Sequence, residues 1–213
     1  MIRAAARRSP LSLTQVDEVF SKLSHPFELI AVDSRGDLDR TSSLRHLAKD
    51  DFFTDAVDRL VLEGRADVGI HSAKDLPDPL TPGLSLIALT KGLDPSDSLV
   101  LRPNETVQPH FRIATSSARR EELVQQLFPF PLHFLDLRGT IAERLDLLTQ
   151  GAADGIVVAE AALIRLGLTH LSRIRLPGPT VPLQGRLAVT ARTGDEAMRA
   201  IFEVIHDHSL SRA

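Results

Sequence analysis

The sequence predicts an α/β fold of two similar domains, each a mixed sheet covered by helices, facing each other around a cleft. Three observations carry that expectation. Apolar runs of strand length alternate with stretches whose apolar residues recur at helical spacing, as in sheets covered by helices. Two segments echo later in the chain: "IRAAARRSPLSLTQ" (2–15) in "RIATSSARREELVQ" (112–125), and "EGRADVGIHSAKDL" (63–76) in "QGAADGIVVAEAAL" (150–163). Echoes of this kind suit a repeated βα unit. The third observation is a turn-rich break at "KGLDPSD" (91–97), where Gly92 and Pro95 interrupt the pattern.

Ile2–Ala6 reads as the first strand, followed by a helix whose face carries Leu13, Val16, Phe20 and Leu23. Pro10 suits the first turn of that helix. Strands are expected at Phe27–Val32, Ala66–Ile70 and Leu84–Leu89, with a helix over 52–63. Beyond the break come strands at Ser98–Leu101, Arg112–Thr115, Leu132–Leu137 and Gly155–Ala159, with helices over 117–127 and 140–150. After "LPGPTVP" (176–182) a strand at Leu187–Ala191 returns to the first domain. Domain 1 is therefore drawn as 1–90 plus 183–213, and domain 2 as 94–179.

The composition bounds the function. The 213 residues are 43% hydrophobic and 25% charged, with a net charge of −3. No apolar run approaches the ~20 residues of a membrane-spanning helix, so no membrane partner is expected. Negative net charge and 4% aromatic residues argue against nucleic acid. Arg3, Arg7 and Arg8 precede the first acid, Asp17, but a strand beginning at residue 2 leaves no room for a leader, and a cytoplasmic protein is expected. There is no cysteine among the 213 residues, which excludes disulfides, thiolate metal sites and a cysteine nucleophile within them. His206-Asp207-His208 reads as a short polar tail rather than a metal site, and no metal is expected.

Arginine outnumbers lysine 21 to 4, and arginine is the better two-point clamp for carboxylates and phosphates. Two Ser/Arg turns follow strands at helix starts: Arg7, Arg8 and Ser9, then Thr115, Ser116, Ser117, Arg119 and Arg120. Such starts offer free backbone N–H groups and hydroxyls to an anion. Arg138 after the "LHFLDL" run and Arg144 on the next helix add to them, and together they predict a polyanionic ligand. Lys74 and Asp75 end the strand near residue 70, where ligands lie in such folds. An ionised aspartate there can stabilise a developing cation or pass a proton. His71 is read as a positioning or packing residue.

"IRAAARRSPLSLTQ", "GRADVGIHSAKDLP", "DPSDSLV", "IATSSARREE", "LDLRGTIAERL" and "GIVVAEAALIRLGL" stand in the order found in porphobilinogen deaminases, also called hydroxymethylbilane synthases, and the resemblance runs from residue 2 to about 190. It implies that four porphobilinogen molecules are joined head to tail into a linear tetrapyrrole, with loss of ammonia at each step. It also implies a fold like the type II periplasmic binding proteins. On the matching positions, Asp75 is the catalytic aspartate, which binds pyrrole N–H groups and stabilises the cation formed as ammonia leaves. Arg7, Ser9, Lys74, Thr115, Ser117, Arg119, Arg120, Arg138, Arg144 and Arg165 hold the acetate and propionate groups. Phe53 and Gln184 contact the primer, and Arg35-Gly36-Asp37 is the family's own turn rather than an adhesion signal.

The chain departs from the pattern in three places. The family anchors a dipyrromethane cofactor through a cysteine thioether in a third domain, and the sequence stops soon after "LQGRLAVTARTGDEAM" without that domain or any cysteine. A dipyrromethane-like or linear tetrapyrrole primer would have to be held non-covalently. "SSLRHLAKDDFF" places Asp50 and Asp51 where the family's loop is rich in lysine and glycine. Leu183 stands at the first glycine of a Gly-Gln-Gly segment, a change expected to alter the backbone near the primer. The enzyme reading has two rivals: a non-catalytic pyrrole- or porphyrinogen-binding protein descended from this enzyme, and a solute-binding protein for another anion. The oligomeric state is not legible.

Overall fold

The computed structural model describes residues 1–39 and 51–209. Most of the "SSLRHLAKDDFF" loop, Asp50 included, falls outside the described residues, as does the side chain of Asp51. The chain opens with β1 (Ile2–Arg7), α1 (Pro10–Phe20), β2 (Phe27–Val32) and a one-turn α2 (Arg35–Leu38). A 3₁₀ turn (Asp51–Phe53) leads into α3 (Asp55–Leu62), β3 (Val68–Ser72), a 3₁₀ turn (Ala73–Asp75) and β4 (Leu84–Leu89). Then follow β5 (Asp97–Leu101), β6 (Arg112–Ala114), α4 (Ala118–Leu127), β7 (His133–Leu135), α5 (Ile141–Thr149), β8 (Gly155–Ala159), α6 (Glu160–Arg165) and β9 (Arg173–Leu176). β10 (Leu187–Arg192), α7 (Glu196–Phe202) and a final 3₁₀ turn (Glu203–Ile205) complete the described chain.

Two compact units result, one holding Met1–Asp39, 51–93 and 182–209, the other Asp94–Val181. The sheet of the first has the order β2-β1-β3-β10-β4, with β1 parallel to β2 and β3, and β10 antiparallel to β3 and β4. The second repeats that scheme as β7-β6-β8-β5-β9: β6 is parallel to β7 and β8, and β5 is antiparallel to β8 and β9. Parallel neighbours joined through helices leave both sheet faces covered, which is why their strands read as continuous apolar runs.

In the first unit the period-2 alternation of β1 divides the core. Ala4 and Ala6 pack with Val16, Val19 and Phe20 of α1 and with Phe202 of α7, while Ala5 packs with Val57, Leu60 and Val61 of α3. Phe20 stacks on Phe27 and meets the edge of Phe202, so α1, β2 and α7 share one aromatic cluster. In the second unit Leu123 and Val124 of α4 pack on Leu99, Ile113 and Val157. His206-Asp207-His208, read from the sequence as a short polar tail, docks through its first two residues. Asp207 donates its backbone N–H to the Leu89 carbonyl at 2.7 Å and accepts from the Arg186 guanidinium at 2.6 Å, and His206 Nδ1 accepts from the Leu89 N–H at 3.1 Å. The half-buried cation of Arg186 gives that segment a place to dock.

Candidate active site

In the first unit the sheet gathers its chemistry on one edge. β1 and β3 run parallel, so Arg7-Arg8-Ser9 and Ser72-Ala73-Lys74-Asp75 leave the sheet on the same side. β10 is antiparallel to β3, with Leu187 opposite Ser72, which brings Gln184, just before β10, to that edge as well. Ser9 caps α1: its hydroxyl accepts the Ser12 N–H at 3.3 Å, and Pro10 occupies the first helical turn.

Arg7 does not stand alone. Its guanidinium is held by both oxygens of Asp37, Nε at 2.9 Å, and lies 4.8 Å from the centre of the Phe53 ring. A Cβ at Gly36 would collide with that ring, so the Arg35-Gly36-Asp37 turn needs its glycine for packing. Burial pushes the Asp37 carboxyl up, but Arg7 and two hydrogen bonds from Ser34 outweigh it and hold the group at about 2. The folded value lies below the unfolded one of about 3.9, so the stabilisation is fully present above pH ~4 and is lost as pH falls towards 2. Asp37→Asn should remove about 2 kcal/mol of stability at pH 7 and flatten the acid limb of a urea-midpoint profile between pH 4 and 2.

Around Asp75 the support comes from below. Gln15 of α1 donates to the Ser72 hydroxyl at 2.9 Å, and the Ala73 N–H donates to the Arg186 carbonyl at 3.0 Å. Lys74 Nζ donates to Gln184 Oε1 at 3.3 Å, which joins the two sequence-predicted contacts. The half-buried Asp75 side chain accepts no hydrogen bond among the described residues. Beneath it, buried His71 places Nε2 3.1 Å from the Thr190 hydroxyl and 3.6 Å from Asp58 Oδ1. Burial, aided by Arg7, pushes this imidazole below its ordinary value against the opposite pull of Asp58 and Asp75. The ring packs beside Gly69, Thr190 and Asp58. Gly69 makes room for it, since a Cβ there would sit 2.7 Å from both His71 Nε2 and the Thr190 hydroxyl. Gly69→Ala should cost about 2 kcal/mol, read as a lowered urea midpoint with an unchanged slope.

Leu183 has a φ of 62°, the left-handed conformation that glycine adopts freely. Leucine holds it at a cost of about 1 kcal/mol or more.

The second unit assembles a comparable edge. β6 is parallel to both β7 and β8, so Thr115-Ser116-Ser117, Arg138 and the α6 segment with Arg165 all follow strand ends on one side. The Thr115 hydroxyl accepts the Ser117 N–H at 3.3 Å, and the Ser116 hydroxyl receives the Leu137 N–H at 2.7 Å, tying the turn after β6 to the segment after β7. Arg144 donates to the Gly139 carbonyl at 2.8 Å from a helix capped by Thr140 and Glu143. Arg119 and Arg120 both bind the buried carboxylate of Asp97, at 2.5 and 2.6 Å. Three acids were not read from the sequence as partners of arginine: Asp37, Asp97 and Glu160. Each is an acid that meets its arginine only through a turn or a strand pairing, although "DPSDSLV" did mark Asp97.

The protein is of the two-unit α/β class, with arginine and serine at one edge of each sheet and Lys74 beside them in the first. Its backbone is similar to that of a periplasmic substrate-binding protein of an ABC transporter from Coxiella burnetii, with a TM-score of 0.58 at 14% identity, covering 97% of this chain and 92% of that one. Residues 2–200 match the family model described as "Porphobilinogen deaminase, dipyromethane cofactor binding domain". A probable porphobilinogen deaminase of Chlamydia pneumoniae is 43% identical over 98% of this chain and 91% of its own length. The porphobilinogen deaminase of Stenotrophomonas maltophilia is 36% identical over 97% of this chain and 71% of its own. The chain belongs to the porphobilinogen deaminase family, the hydroxymethylbilane synthase transferases of tetrapyrrole biosynthesis.

Proposed function

We propose that this chain carries out the family's reaction with Asp75 as its catalytic carboxylate and with a primer held by charge and hydrogen bonds alone. The single observation that carries the reading is the half-buried Asp75, unbonded among the described residues, at the strand edge that also presents Arg7, Ser9 and the Lys74–Gln184 pair. A carboxylate that accepts no hydrogen bond among the described residues suits a transient cation better than a structural ion pair.

In each turn the C–N bond of porphobilinogen's protonated aminomethyl group breaks and ammonia carries the electron pair away, leaving an azafulvenium cation. Asp75 accepts the pyrrole N–H and balances that positive charge. The α-carbon of the preceding ring bonds to the methylene carbon and then loses its proton, which restores the pyrrole. Each ring brings an acetate and a propionate. Arg7, Ser9 and Lys74 on one unit, and Thr115, Ser117, Arg119, Arg120, Arg138, Arg144 and Arg165 on the other, hold these carboxylates. Bidentate guanidinium contacts are the strong, geometrically defined ones among them. Phe53 offers its ring to the primer, and Gln184 its amide.

The same donor set fits the carboxylates of a dipyrromethane, whereas a thioether link finds no cysteine in the 213 residues. When bound, such a group supplies the free α-carbon on which the chain grows. We place the enzyme in the cytoplasm. The test is porphobilinogen consumption by the purified protein, with and without added linear tetrapyrrole, following the oxidised porphyrin by absorbance. Turnover supports the enzyme. Tight binding without turnover under either condition would instead identify a pyrrole-binding protein.

A further inference from the structure

Asp97 opens β5, and the pairing of that strand with β8, Asp97 opposite Ala159, brings it to the edge where α4 begins. Its side chain is only 1% exposed, yet each of its oxygens takes a different guanidinium, that of Arg119 and that of Arg120. Successive residues on a helix normally point about 100° apart. One buried carboxylate here overrides that divergence and draws two neighbouring arginines to a single point. Arg119 is further fixed by donating to the Pro179 carbonyl at 2.8 Å. Burial alone would raise the Asp97 carboxyl, but the two cations hold it below the ordinary range. The guanidiniums are not used up: they keep 26% and 13% exposure, and the buried Nε–H of each has no hydrogen-bond partner among the described residues. Taken together, the trio carries a formal charge of +1, which matches one carboxylate.

We propose that Asp97 is a positioning residue for substrate binding: it touches no pyrrole, but sets Arg119 and Arg120 as a preformed fork for a single pyrrole carboxylate. The proposal rests on the reading of these two arginines as ligand contacts. Pre-forming the fork means that binding need not order two long side chains, and this lowers its entropic cost. Because a pyrrole carboxylate is not among the atoms whose bonds break or form, the effect belongs in KM rather than kcat.

The experiment is a double-mutant cycle of Asp97→Asn and Arg120→Gln, reading KM and kcat for porphobilinogen and the thermal midpoint of each variant. Each single change should raise KM about tenfold, as for loss of a charged hydrogen bond, with kcat within about twofold. The double variant should be no more than about twofold worse than either single one, because the two residues act as one device. Multiplying effects near a hundredfold, or an unchanged KM in Asp97→Asn beside a lowered thermal midpoint, would overturn the proposal and leave Asp97 a structural acid. An unchanged KM in Arg120→Gln would sink the carboxylate-binding reading itself, and the proposal with it. If Asp97→Asn does not fold, Asp97→Glu takes its place, keeping the charge but shifting the carboxylate by one methylene, with the same readings. Should the chain bind porphobilinogen without turnover, the calorimetric Kd replaces KM, and absence of binding overturns both ideas.

Discussion

Asp75→Asn is expected to slow porphobilinogen consumption about a thousandfold, the size of effect seen when one preorganised charge-stabilising group is lost. Asparagine has nearly the same shape and can still face a pyrrole N–H, but it cannot offset the cation left by departing ammonia. The loss should therefore fall on kcat, with KM changed less than about threefold. The protein itself should tolerate the change. Among the described residues Asp75 accepts no hydrogen bond, so its neutralisation orphans no partner, and the thermal midpoint should shift by no more than about 1 °C for a surface-type change. Rate and stability are thus separated in one variant. Wild-type turnover in Asp75→Asn would remove this residue from the chemistry. A collapse of stability alongside the rate would mean that the carboxylate supports the turn it ends rather than the reaction.

Much of the scaffold was legible because its cause is local. β2, β4 and β8 have the bounds read from their apolar runs, although only the central β8 is buried along its whole length and β2 and β4 are edge strands. α1 begins where Ser9 and Pro10 say it should, a signal spoken entirely by its own residues. β9 was missed for an equally physical reason. "RIRL" is an edge strand whose Arg173 and Arg175 alternate with Ile174, and the two arginines hide its short apolar pattern. The arginines of the candidate site could be read because strand-to-turn positions announce them. Their anionic counterparts could not. Asp37 reaches Arg7 across 30 residues, and Asp97 reaches Arg120 across 23 through the turns of a second sheet. Composition records how many acids a chain has, but pairing decides which of them are spent holding a cation in place.

Glu160 shows how strongly such a hidden acid can matter, and Glu160→Leu is expected to cost about 3 kcal/mol, as for removal of one partner from a buried ion pair. Its side chain is 1% exposed, accepts from the Ser98 hydroxyl at 2.5 Å, and takes Nε and a terminal nitrogen of Arg173 at 3.0 and 2.7 Å. It also heads α6, the helix that carries Arg165, so its loss loosens the corner between β8 and that part of the candidate site. Leucine would leave Arg173, 20% exposed, without its hydrogen-bonded anion, and Ser98 with a buried hydroxyl lacking its acceptor. Most of the cost comes from those orphaned groups rather than from the attraction itself. The double variant Glu160→Leu/Arg173→Leu should accordingly be more stable in urea than Glu160→Leu alone, even though it removes more native polar contacts. The pH dependence has the same origin. Hydrogen bonds from Arg173, against the upward push of burial, hold the Glu160 carboxyl below the ordinary glutamate value. Its contribution is therefore present above about pH 4.3, is lost as pH falls through the lower folded value, and should be missing from the acid limb of both variants. If the double variant were the less stable one, the pair would be a source of net attraction, and the corner would depend on charge itself rather than on avoiding an unpaired one.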